Sequence, residues 1–136
     1  MTNQGAKSAE RSDRDGAPTG RKYDLSERTA KFGETVIRFA RGVRLDPVTS
    51  PLVRQLVRAA TSVGANYCEA DEAGSGKEFY YRISVCNREA RETKHWLRMI
   101  GAACQTQKDA ARCLWKEANE LNLIFSAIFR KRKPAR

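Results

Sequence analysis

Thr61-Ser62-Val63-Gly64-Ala65-Asn66-Tyr67-Cys68-Glu69-Ala70 reads as part of a buried helix. Val63, Gly64 and Tyr67 continue an apolar set begun by Leu52, Val53, Leu56, Val57 and Ala60. At about 100° per residue this set covers an arc of roughly 140°, wider than one bundle seam needs. Two arrangements satisfy such a face: the central helix of a monomeric bundle, or a helix that also packs against another subunit. Gly64 and Ala65 permit close helix approach. Ser50 is the expected N-cap, with Pro51 in the first turn, where the missing N–H costs nothing.

Downstream, Gly74-Ser75-Gly76 breaks the pattern, and Ser75 with Glu78 restarts it as a capping box. The next helix carries Arg88-Glu89-Ala90-Arg91-Glu92-Thr93-Lys94-His95-Trp96-Leu97. In it Ile83, Cys86, Ala90, Thr93, Leu97 and Ile100 recur at alternating steps of three and four, the spacing of an antiparallel bundle core. Upstream, Leu25, Phe32, Val36, Phe39 and Val43 draw a stripe on a first helix. Its expected cap is Asp24, with Glu27 three residues on, and Gly42 and Asp46-Pro47 end it. A fourth helix, expected to start at Thr106 with Asp109, carries Leu114, Ala118, Leu121, Phe125 and Ile128. No strand pattern competes. The expected fold is all-α, an antiparallel up-down-up-down four-helix bundle over residues 23–129. A disordered tail is expected over 1–22, where almost nothing large is apolar, and a basic tail over 130–136.

The net charge of +10 points to a polyanionic partner. Its distribution is uneven: +2 over residues 1–23, +3 over 24–129 and +5 over 130–136. The four cysteines, Cys68, Cys86, Cys104 and Cys113, match no zinc or redox spacing. With a hydrophilic first twenty residues and no run long enough to span a bilayer, the expectation is a cytoplasmic chain with free, mostly buried thiols and no membrane partner.

Arg88, Arg91, His95 and Arg98 step three, four and three, nearly opposite the core stripe of the third helix, and so form an outward basic ridge. Such a ridge can meet successive phosphates. Flanked by Glu89 and Glu92, it also reads as an ordinary salt-bridged wet face. Arg54 and Arg58 are a smaller outward pair on the second helix. Arg130-Lys131-Arg132-Lys133 is the strongest nucleic-acid candidate, although basic residues also complement helix C-termini. Asn66 and Glu69 read as a structural polar lock to Arg88, Arg91 or Lys94, since an unpaired buried carboxylate is costly. His95, the single histidine, has no base or nucleophile at matching spacing. There is no P-loop, and no Glu-x-x-His of a di-iron bundle. No enzyme, metal or cofactor is therefore expected. Trp96 and Trp115 either stack on bases or plug seams between helices or subunits.

Tyr23-Asp24-Leu25, Ser62-Val63-Gly64-Ala65-Asn66-Tyr67 with Glu69-Ala70, Lys77-Glu78-Phe79, Glu89-Ala90-Arg91-Glu92-Thr93 and Trp96-Leu97 together resemble one family over about residues 23–128. It is the bacterial four-helix-bundle family related to the large-subunit rRNA intervening-sequence protein, which is also similar to accessory proteins of diversity-generating retroelements. The resemblance implies a homopentamer. It also implies either a non-catalytic nucleic-acid-binding oligomer, RNA first, or a protein-interaction scaffold or accessory subunit for a partner such as a reverse transcriptase. Cys68 and the Gly74-Ser75-Gly76 turn depart from the family pattern.

Overall fold

The computed structural model describes residues 17–132, and the side chains of residues 25–132. Among them four α-helices follow one another: α1 (Ala17–Arg41), α2 (Thr49–Asp71), α3 (Gly76–Ala103) and α4 (Lys108–Arg130). A single 3-10 turn, Gln105–Gln107, sits between the last two, and no strand occurs among the described residues.

The apolar stripes settle which faces meet. Ile83, Cys86, Ala90, Thr93, Leu97 and Ile100 are all buried, as are Leu114, Ala118, Leu121 and Phe125 on α4. Leu25, Phe32, Val36 and Val43 of α1 and Leu56, Ala60, Val63 and Tyr67 of α2 complete one core. Each large side chain so buried stabilises by about 1.5–3 kcal/mol. Tyr67 meets Phe125 across the middle, ring centroids 6.3 Å apart, which ties α2 to α4. Burial pushes the Tyr67 hydroxyl and the Cys86 thiol up to about 12.

Cross-helix pairs fix the direction of every neighbour. A Cβ on Gly64 would lie 3.4 Å from the Thr29 carbonyl oxygen, and one on Gly33 3.8 Å from Thr61 Cα. Arg82 Nη1 donates to Asn66 Oδ1 at 3.0 Å. Lys94 Nζ donates to Asn119 Oδ1 at 2.9 Å, and Asn87 Nδ2 to Ser126 Oγ at 3.1 Å. Numbers that rise on one helix fall on the next, so the four run up, down, up and down. The seam between α1 and α4 is the thinnest. There Arg28 grips Glu117 with two hydrogen bonds, of 2.7 and 2.9 Å. Beside them lies a groove of about 520 Å³ lined by Phe32, Lys31 and Leu114 among others.

Helix starts differ from expectation at three of four places. Helix α1 begins at Ala17, so Asp24 lies inside it instead of capping it, and residues expected in the N-terminal tail are helical; residues 1–16 lie outside those described. Ser50 sits one residue inside α2. The capping acceptor is Asp46, whose Oδ1 takes the N–H of Val48 and of Thr49, each at 2.8 Å. Those two bonds hold its carboxyl below the usual range. Thr106 falls within the 3-10 turn, and α4 starts at Lys108 with no side-chain cap. The fourth start is as expected: Ser75 Oγ accepts from Glu78 N at 3.1 Å.

Two further expectations are corrected. Ala65 is exposed, so Gly64 alone of that pair meets α1. Of the four thiols only Cys86 is buried; Cys68 and Cys113 are exposed and Cys104 is intermediate.

Candidate nucleic-acid interface

Arg88, Arg91, His95 and Arg98 are all exposed, as their position opposite the buried stripe of α3 requires. The flanking acids turn away from them. Glu89 is 9% exposed, and its Oε1 receives Arg58 Nη1 at 3.3 Å, while Arg58 Nη2 pairs with Glu92. One guanidinium on α2 thus answers both carboxylates on α3. Among the described residues, Arg54, Arg88, Arg91 and Arg98 make no ion pair. His95 lies edge-on to Trp96, with ring centroids 4.8 Å apart.

Arg98 also lines a groove of about 610 Å³ between the end of α3 and the start of α4. Buried Leu97, Gly101 and Ala111 form its floor, exposed Lys108, Arg112 and Lys116 its rim, and Trp115 a wall. No lining residue is acidic. The ridge and the groove therefore share Arg98 and form one basic surface. Sequence reasoning missed its α4 half. The signal was present: Lys108, Arg112 and Lys116 stand four residues apart, on one helical face.

The C-terminal cluster lies at the other end of α4. Arg130, Lys131 and Arg132 are exposed, and Lys133 falls outside the described residues. Arg132 folds back: its Nη1 donates to the Phe129 carbonyl at 3.0 Å, and its guanidinium carbon sits 3.9 Å from the Phe129 ring centroid. It thereby closes the helix C-terminus as well as carrying charge.

The polar lock takes a different form from the expected one. Asn66 is half-buried, donates to the Ser62 carbonyl at 2.9 Å and accepts from Arg82, not from Arg88, Arg91 or Lys94. Arg88 lies six residues beyond Arg82, roughly 9 Å along the axis at 1.5 Å per residue. Glu69 is exposed and outside the lock. The two tryptophans part company: Trp96 packs against the core, while Trp115 is 37% exposed.

Among the described residues no cluster of three or more His, Cys, Asp or Glu could hold a metal ion, and no helix is long and apolar enough to cross a membrane. Comparison with curated proteins gives no match. Among solved structures, a Bacteroides thetaiotaomicron protein of unknown function from the S23 ribosomal protein family superposes with a TM-score of 0.69 at 21% identity. The similarity covers 79% of this chain and 99% of that one, and at that identity it speaks to the fold alone. The profile of the 23S rRNA-intervening sequence proteins matches residues 21–127, nearly the whole bundle. The chain belongs to the 23S rRNA-intervening sequence protein family.

Proposed function

We propose that the protein is a non-catalytic nucleic-acid-binding bundle that holds RNA through its phosphates. The observation that carries this reading is the state of the α3 ridge. Its arginines make no ion pair among the described residues, because Arg58 draws Glu89 and Glu92 to the α2 side. Exposed cations with no acid to answer them are the electrostatic footprint of a polyanion site. The net charge of +10 has the same sign, and the family's name ties it to ribosomal RNA. Four free cysteines suit a reducing, cytoplasmic setting.

The test is a salt titration of RNA affinity. Neutralising Arg88, Arg91 and Arg98 together should lower the slope of log K against log salt by about 2, at roughly 0.7 per single-stranded phosphate. An unchanged slope refutes the reading.

A second reading, a protein-binding scaffold or accessory subunit, has its own support. Leu45 and Val48, in the α1–α2 loop, are 61% and 62% exposed, and Tyr81 and Leu123 are each 57% exposed. Apolar surface of this kind suits a protein contact, including one between copies. Light scattering showing a particle five times the 15.3 kDa chain would support the pentamer that the family resemblance implies; a monomer at all concentrations would count against it.

A further inference from the structure

We propose that the groove between the end of α3 and the start of α4 takes an unpaired base of a single-stranded RNA, stacked on Trp115, with its neighbouring phosphates on Arg98, Lys108, Arg112 and Lys116. The inference rests on the RNA-binding reading above and adds to it a preference for single strands over duplex.

Four cations line the groove, and no acid does. Lys108, Arg112 and Lys116 are spaced i, i+4 and i+8 on one helix, where like charges oppose each other. They also occupy the N-terminal half of α4, toward the positive end of its dipole. None of these cations makes an ion pair among the described residues. A phosphate between them and Arg98 relieves both penalties.

Trp115 supplies the stacking face. Lys94 Nζ stands 5.3 Å from its ring centroid and is itself held by Asn119 Oδ1 at 2.9 Å. Lys94 is not a lining residue, whereas Trp115 is. The indole is thus braced from outside the groove and offers surface to it, so stacking demands little further ordering. The floor of Leu97, Gly101 and Ala111 is apolar, as the body of a base requires. A volume of about 610 Å³ lies within the range of roughly 300–1,000 Å³ typical of small-ligand pockets. A base inside a duplex has both faces covered by its neighbours and cannot enter.

The experiment titrates the full chain at low salt with an unstructured oligouridylate and with a fully paired RNA duplex of equal length. Trp115→Ala should weaken single-strand binding on the order of tenfold and leave duplex binding within about twofold. Trp115→Phe should keep most of the single-strand affinity. Trp115→Ala should also lower the melting temperature, because the indole is only 37% exposed, so both RNAs are titrated well below the melt, where the duplex serves as the control for lost packing. Equal losses on both RNAs, or none on the single strand, would overturn the proposal. So would a change in the sedimented mass of Trp115→Ala, for the groove is then a contact between copies. If the parent chain binds neither RNA, the RNA reading itself fails, an outcome visible before any variant is made.

Discussion

Glu89 is nearly out of solvent, with its side chain 12% exposed, and Arg58 reaches it from the neighbouring helix with a guanidinium that is 47% exposed. A carboxylate in that position requires a counter-charge, and the same guanidinium also serves Glu92. Arg58→Ala should therefore lower stability by about 1–2 kcal/mol, less than a fully buried pair would lose because the guanidinium is half in water. Arg54→Ala, four residues earlier on the same helix and exposed, should stay within about 0.5 kcal/mol. Adding Glu89→Gln to Arg58→Ala should recover part of the loss by removing the stranded charge. Chemical denaturation of these variants checks the assignment; an Arg58→Ala chain as stable as Arg54→Ala would return Arg58 to the set of phosphate ligands.

At the scale of the element, Gly64 brings the α2 backbone close to that of α1. A methyl at Gly64 would touch the Thr29 carbonyl oxygen at 3.4 Å and its carbonyl carbon at 3.5 Å, which is ordinary contact. Alanine also favours the helix over glycine by up to about 1 kcal/mol. Gly64→Ala should thus be neutral or stabilising by up to about 1 kcal/mol. Gly64→Leu must push atoms into an unyielding backbone and should cost about 1–3 kcal/mol or more. Melting temperatures decide it, and a leucine variant that melts with the parent would mean that α1 is not seated there. The helix faces were legible in the sequence because burial repeats every three or four residues, and the stripe of Ile83, Cys86, Ala90, Thr93, Leu97 and Ile100 is buried at every position. Helix starts were less so, because several polar residues compete for each one. Asp46 outcompetes Ser50 by accepting two N–H groups at once. Cross-helix polar pairs were not legible, because periodicity gives a residue's face and not the axial register that sets Asn66 against Arg82. The groove beside Arg98 was half legible: its cations are visible as a stripe on α4, but only the hairpin of α3 and α4 brings them to Arg98.

Across the whole molecule, α4 carries a cationic patch near each of its ends. The groove lies at its N-terminal end and the Arg130–Arg132 cluster at its C-terminal end, about 30 Å apart at 1.5 Å per residue. Half of the net charge of +10 resides in residues 130–136, so bulk electrostatics alone would make that end the principal site. Geometry favours the other end, where cations, an indole and an apolar floor converge. Sites so far apart act independently on a ligand that reaches only one, and cooperate on a ligand that spans both. Changing Arg130, Lys131, Arg132 and Lys133 to Gln should accordingly leave the affinity of a very short oligouridylate within about twofold, while Arg98→Ala weakens it severalfold. On a long structured RNA both sets of changes should weaken binding, and each should reduce the salt slope by roughly 0.7–0.9 for every phosphate no longer neutralised. Fluorescence anisotropy with the two RNAs at several salt concentrations measures all four combinations. If the glutamine variant weakened the short oligonucleotide as much as Arg98→Ala does, the C-terminal cluster would be the primary site and the groove at most an accessory to it.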